Sequence, residues 1–283
     1  MFHEPIEYSV DMKYYAIFLA TTCLLLSCNS HQGQTIEERR AEQEQRYKDQ
    51  LATERNTLHV TDSLINAISV QINKATDEGF EYEKTEYDDL GRFRPKGSDP
   101  GDNVQRTYLR SAVDEYGRTQ LICTYCGSKK FCVEQLRISS SDGTSIVTQS
   151  IAPNDGSNYS YDIDGTHYQS VTFVYAGHVT EGMTQDSTML ANADTDNGAL
   201  GFIAQHADDV KLQCVMISSD GNEQKMTVTS KDLKQLAATY ELGVMLRECT
   251  RLRQENKTAS LKIQYLEERE RNKAIENNTN NQQ

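Results

Sequence analysis

Two long stretches almost free of helix-breaking residues bracket a middle crowded with turn signals, and this layout constrains the fold more than any motif. From Thr35 to about Ala75 the chain has neither Gly nor Pro, and from Ser230 to about Ala274 it has only Gly243. The middle, 79–229, is punctuated by Leu90-Gly91, Asp99-Pro100-Gly101, Tyr116-Gly117, Cys126-Gly127, Asp142-Gly143, Asp155-Gly156, Asp164-Gly165, Asn197-Gly198 and Asp220-Gly221. Glycine supplies the positive φ of tight turns and weakens helices, so the middle reads as strands and the flanks as helices. The expected class is α+β: an antiparallel β-rich domain, a sandwich or a curved sheet, inserted between two long helices forming a hairpin or coiled coil.

The first helix is expected over 35–78. Thr35-Ile36-Glu37-Glu38 reads as a capping box, with Thr35 as N-cap and Glu38 reaching back. Leu51, Leu58, Ile65 and Ile72 recur every seven residues, and Leu64 and Ile68 widen the stripe. Before Leu51 the helix is mostly Glu, Gln and Arg. Asp77-Glu78-Gly79 ends it. The second helix is expected over 230–274, with Ser230 as its cap. Leu233, Leu236, Tyr240 and Val244 form one stripe, and Leu242, Leu246, Cys249 and Leu252 another. A helix apolar on two sides should lie between the β domain and the other helix. The Asn- and Gln-rich tail 275–283 is expected to be disordered. Both helices lose apolar residues with distance from the middle. That gradient fits an antiparallel stalk of roughly 60 Å, at about 1.5 Å per residue. The heptads of 51–72 also allow pairing between copies of the chain.

Strands are expected at 80–87, 106–113, 119–125, 133–138, 145–151, 168–175, 210–217 and 224–229, with a helical turn at 201–207. Leu136-Arg137-Ile138-Ser139-Ser140-Ser141-Asp142-Gly143 echoes Val215-Met216-Ile217-Ser218-Ser219-Asp220-Gly221. Two similar hairpins explain the echo most simply, since Asp-Gly turns are common, and a duplication is the alternative.

The net charge is −13, of which Glu4, Glu7, Asp11 and Lys13 contribute −2, leaving about −11 beyond residue 27. Such a balance argues against nucleic acid and against purely electrostatic binding to anionic lipid. The address lies at the N-terminus. Residues 14–26 form a mostly apolar run, too short for a span of about 20 residues. It fits the hydrophobic region of a signal peptide, with Lys13 as the positive start and Met12 rather than Met1 as the expected first residue.

The run ends Leu25-Leu26-Ser27-Cys28, which resembles the bacterial lipobox. That resemblance implies cleavage before Cys28 and lipidation of its thiol, with residues 1–27 removed and 28–34 a polar tether. An ordinary cleaved signal peptide with Cys28 a free thiol, or a retained anchor, are the alternatives. The whole chain resembles uncharacterised exported lipoproteins of Bacteroidota type. Asn29 at the second mature position is not the aspartate associated with inner-membrane retention in enterobacterial lipoproteins, so the resemblance implies the outer membrane, facing the periplasm. More than one acyl chain holds a protein stably, so an acidic chain can stay on an acidic surface.

Catalytic, cofactor and metal motifs give weak signals. Cys123-Thr124-Tyr125-Cys126 is a C-x-x-C in a strand, where positions i and i+3 face opposite sides. Cys132 adds a third thiol without a second pair, as zinc would need. Buried strand cysteines are the favoured reading of Cys123, Cys126, Cys132, Cys214 and Cys249, with disulfides an option in an exported protein. Asn192-Ala193-Asp194-Thr195-Asp196-Asn197-Gly198 has the alternating oxygens of a calcium loop. However, Asn197 stands where the required Gly belongs and Ile203 where the final Glu does, so it reads as an acidic surface loop. Asp162 and Asp164 belong to a hairpin turn. His167, His178 and His206 read as surface histidines. No nucleophile elbow or HExxH is present.

The resulting expectation is a non-enzymatic interaction or scaffold protein of the cell envelope, without cofactor. It would be anchored through Cys28 and use helices 35–78 and 230–274 for a protein partner or self-association. The alternative is a ligand-binding module, for glycans, on a platform drawn from Tyr108, Tyr125, Tyr159, Tyr161 and Tyr168. A hydrolase with an unrecognised site is the third reading.

Overall fold

The computed structural model describes residues 35–84, 90–98, 106–153, 155–175, 194–209 and 211–280. Two compact units divide the chain: Met1–Thr53 with Arg269–Gln283, and Glu54–Glu268. The signal segment, Leu25-Leu26-Ser27-Cys28, the 28–34 tether and His178 lie outside the described residues. Among the described residues no helix is long and apolar enough to cross a membrane.

The class is α+β. Helix α1 (Ile36–Gly79) is followed by strands β1 (Phe80–Glu83), β2 (Arg92–Pro95), β3 (Tyr108–Asp114), β4 (Thr119–Gly127), β5 (Val133–Ser139), β6 (Ser145–Val147), β7 (Asn158–Ile163) and β8 (Thr166–Tyr175). A short helix α2 (Ala199–Gln205), strands β9 (Gln213–Ser218) and β10 (Glu223–Met226), and helix α3 (Ser230–Asn280) complete the order. In the described part of the first unit the chain is helical. The expected capping box is there: the Thr35 amide donates to Glu38 Oε2 at 2.8 Å, and the Glu38 amide donates to Thr35 Oγ1 at 3.2 Å. Intrahelical pairs such as Arg46–Glu42 at 2.6 Å follow, each solvated and worth little by itself.

The second unit carries two antiparallel sheets. One has six strands in the order β1-β2-β3-β4-β8-β7, the other four in the order β10-β9-β5-β6. Leu121, Cys123, Val171 and Phe173 from the first meet Leu136, Ile138, Cys214 and Met216 from the second in one core, closed by Leu200 and Ile203 of α2 and by Leu233 and Leu236 of α3. A buried polar link ties the sheets. Gln169 accepts from the Val133 amide at 2.7 Å and donates to the Val133 carbonyl at 3.0 Å and to Asn158 Oδ1 at 2.6 Å. Asn158 also donates to the carbonyls of Val133 and Ile151. Every donor and acceptor of these two buried amides is thereby directed, as burial demands.

The sequence echo becomes a local two-fold. Ile138 pairs with Cys214 and Leu136 with Met216, so a shift of the repeat along the chain exchanges the two pairs. The turns match too. The Ser140 and Ser218 hydroxyls donate to Asp142 and Asp220, and Gly143 and Gly221 take φ of 89° and 78°. In each turn a backbone amide bonds the Asp carboxylate, from Thr144 at 2.8 Å and Asn222 at 3.3 Å. These hydrogen bonds hold the Asp142 carboxyl down at about 2, with the Ser140 hydroxyl the main cause.

Within the second unit α1 and α3 run antiparallel. Ile72 and Ala75 pack with Leu242 and Leu246, beside Phe80 and Val113. Farther along, Asn256 reaches Thr61 and Lys262 reaches Glu54. The two-sided reading of α3 holds for Leu233 and Leu236 on one side and Leu242, Leu246, Cys249 and Leu252 on the other, all buried. Val244 and Leu64, placed on stripes from the sequence, are instead exposed, at 43% and 45%. Gly243 marks where α3 crosses the β3–β4 turn. A Cβ there would stand 2.5 Å from Thr119 Cγ2, and one on Gly117, whose φ is +84°, would stand 2.5 Å from the Gly243 carbonyl oxygen.

Other expectations shift. Thr229, not Ser230, caps α3: its Oγ1 accepts from the Asp232 amide at 3.2 Å and its own amide donates to Asp232 Oδ2 at 2.9 Å. The helix runs to Asn280, past the expected end at Ala274 and into the tail read as disordered. Strands β2 and β7 are not among the strands expected from the sequence. β7 keeps Asn158 buried and its other residues exposed, so it has no apolar alternation to detect. The strands expected at 145–151 and 210–217 are shorter, ending at Val147 and starting at Gln213.

Candidate functional site

The β7–β8 hairpin closes on Asp164 and Gly165, whose φ values of 48° and 78° form a two-residue turn. That turn sets Tyr161 opposite Tyr168 and Tyr159 opposite Ser170. Across the sheet Tyr168 faces Cys126 on β4, Ser170 faces Thr124, and Thr124 faces Tyr108 on β3. Tyr108, Tyr159, Tyr161 and Tyr168 therefore share one face, because side chains of opposed residues point the same way. The Tyr161 and Tyr168 rings lie 5.2 Å apart and 11° from parallel, and Tyr159 and Tyr161 lie 6.5 Å apart at 12°. Tyr159 and Tyr161 are 53% and 47% exposed, while Tyr108 and Tyr168 are half-buried. Partial burial, then the neighbouring Tyr159 and Tyr108, push the Tyr161 phenol up, while Arg110 works the other way. This face is a slipped aromatic ladder with a guanidinium at its edge.

Tyr125 does not join it. It is one position out of phase, 3% exposed in the core, and its hydroxyl donates to the Lys129 carbonyl at 2.8 Å. The cysteines among the described residues are free thiols. Cys123 and Cys214 lie in the shared core, Cys249 is buried, Cys126 is half-buried on the tyrosine face and Cys132 is exposed. Burial pushes the Cys123 thiol far up and Cys214 to about 12, so neither is poised as a thiolate.

His167 is not a surface residue. It is 6% exposed, with Nδ1 2.8 Å from Asp162 Oδ1. His206 is half-buried, with Nδ1 2.9 Å from the Phe202 carbonyl and its ring 4.3 Å from the Phe202 ring. Among the described residues no group of three His, Cys, Asp or Glu could hold a metal ion.

Of the segment read as an acidic surface loop, Asn192 and Ala193 lie outside the described residues, and 194–198 form a strap between the sheets. The Thr195 hydroxyl accepts from the Val174 amide at 2.8 Å, and Asn197 Nδ2 donates to the Val147 carbonyl at 2.9 Å. Asp196 is only 2% exposed. Its carboxyl accepts from the Leu200 amide at 3.2 Å, and its pKa is raised to about 7, chiefly by burial and also by Asp194. It lines a cleft of about 230 Å³ with Tyr175, Phe202, Gln205 and Tyr240. Gly201 admits the Tyr240 ring, since a Cβ would stand 3.1 Å from it. The residues of this cleft come from β8, the strap, α2 and α3, so no local spacing announces it. The available signal was the pair of left-handed residues Asn197 and Gly198, which turn the strap inward, with φ of 51° and 82°. Comparison with protein-family models, curated proteins and solved structures finds no match to the chain.

Proposed function

We propose that this is a lipid-anchored protein of the bacterial outer membrane that binds glycan through the tyrosine face of its six-stranded sheet, without catalysing a reaction. The anchor rests on Leu25-Leu26-Ser27-Cys28 and the apolar run before it. The binding role rests on one observation: Tyr159, Tyr161 and Tyr168 present near-parallel rings on one sheet face, two of them about half exposed. Exposed tyrosines combine apolar area with a hydrogen-bonding hydroxyl and lose little entropy on binding, which suits the apolar faces and hydroxyls of sugars. The long helices give this reading priority over a purely helix-mediated scaffold, because their apolar stripes in the second unit pack on each other and on the β domain.

Cosedimentation with purified cell-wall sacculi tests the binding. Tyr161→Ala should weaken it by about tenfold without changing the melting temperature. Unchanged retention by a Tyr159→Ala/Tyr161→Ala variant would sink the reading. Radioactive palmitate labelling tests the anchor, and the label should vanish in Cys28→Ala.

A second reading, docking of a protein partner on the helices, has its own observation. Val60 and Leu64 on α1, and Leu261 and Tyr265 on α3, are apolar pairs four residues apart left 45–65% exposed. Cross-linking followed by loss of the cross-link in Leu261→Glu/Tyr265→Glu would support it.

A further inference from the structure

The cleft at Asp196 shares no lining residue with the tyrosine ladder. Three aromatic rings, Tyr175, Phe202 and Tyr240, wall it, and each is only half-buried, so each leaves ring surface to the cleft. The carboxyl of Asp196 sits among them, and among the described residues one backbone amide, that of Leu200, is its hydrogen-bond donor, 3.2 and 3.3 Å from its two oxygens. A carboxyl accommodates more donors than that, and one held in an aromatic recess is stabilised as an anion by an entering cation. The ring faces add the attraction of their quadrupoles, which is strongest where water is excluded. The fold already uses one of these rings in that way, since Arg247 lies 5.0 Å over the centre of Tyr175. Burial lowers the pKa of Arg247, while Tyr175 and Tyr240 and then Asp114 and Asp194 act the other way. The Asp196 carboxyl lines the cleft itself.

We propose that this cleft binds a small organic ammonium cation, with the Asp196 carboxylate as counter-ion and Tyr175, Phe202 and Tyr240 as its aromatic walls. Alkylation of the ammonium suits the site, because an alkylated cation is weakly hydrated and gives up little on entering a recess of about 230 Å³.

Choline is a suitable probe, and its uncharged carbon isostere, dimethylbutanol, is the control of equal shape. Calorimetric titration of the full-length protein above neutral pH should show choline binding at one site and the isostere binding at least about tenfold more weakly. Asp196→Asn should lose choline by a similar factor. It keeps an oxygen to accept the Leu200 amide, and circular dichroism checks that it folds. Phe202→Leu keeps apolar bulk without the ring and should weaken choline while leaving the isostere unchanged. The proposal is overturned if the folded protein gives no choline binding, if choline and the isostere bind alike, or if both variants bind choline as the parent does.

Discussion

Asn256 of α3 donates its side-chain amide to the hydroxyl of Thr61 on α1 at 3.0 Å, in the middle of the apolar seam between the two helices. Thr61 is 3% exposed, and its own proton goes to the Thr57 carbonyl at 2.8 Å. The same amide reaches Asp62 Oδ1 at 2.8 Å. A polar residue at such a seam position selects register and partner at some loss of stability. Asn256→Leu should therefore keep or raise the melting temperature, because no buried donor is orphaned on Thr61. It should also let copies associate, read as dimer by sedimentation equilibrium. A monomer with a lowered melting temperature would contradict this account of the pair.

Gly117 and Gly243 form the closest backbone approach between the β3–β4 turn and α3. Gly117→Ala must strain a φ of +84° and push against the Gly243 carbonyl, and Gly243→Ala must push against Thr119. Each should destabilise by at least about 2 kcal/mol in urea unfolding, as overpacking does. Gly143→Ala, where a Cβ meets nothing within 4 Å, isolates the cost of positive φ alone and should be milder.

Asp114 and Arg118 form a buried ion pair at the same turn, each with side chains 10% exposed. Asp114 also accepts the amides of Tyr116 and Arg118, both at 2.9 Å. Asp114→Ala leaves the guanidinium uncompensated and should cost about 3–5 kcal/mol. Asp114→Asn retains an acceptor for the turn amides and should cost less, as the shift in urea midpoint will measure.

The raised carboxyl of Asp196 couples folding to pH. The folded protein holds this proton up to about 7, while the unfolded chain releases it near 3.8. The folded state thus binds more protons between those values, and stability must fall as pH rises through that window. Asp196→Asn should flatten the fall, seen as a smaller drop in melting temperature from about pH 4 to about pH 7. Asp142 is lowered to about 2, so its contribution is lost only as pH falls below the ordinary carboxylate range and does not overlap.

Thiol labelling separates the cysteines by burial. Cys132, exposed, should react with a chromogenic disulfide at once and Cys126 more slowly. Cys123, Cys214 and Cys249 should react only on unfolding. Fast labelling of Cys123 in the native protein would mean that the shared core is open.

The tyrosine face was half legible. Tyr159, Tyr161 and Tyr168 could be grouped from composition and hairpin spacing, but Tyr125 entered the same group wrongly. Face membership depends on strand phase, and a one-residue difference moves a side chain to the other side of the sheet. β7 itself went unseen as a strand because only Asn158 of its residues is buried.

What the sequence determined by itself is whatever local chemistry settles: the capping box at Thr35 and Glu38, the two unbroken helices, the Asp-Gly turns, the α+β order and the apolar stripes that must find partners. These follow from backbone freedom and helical periodicity, which act within a few residues. Tertiary structure decided the rest. It determined why a glycine stands at 243 inside a helix, because Thr119 and Gly117 approach it from more than 120 positions away. It buried His167 beside Asp162, and it turned an acidic strap inward so that Asp196 meets Tyr175 and Tyr240. Those relations join residues distant along the chain, and their energies come from burial and close packing. Only the folded arrangement creates either.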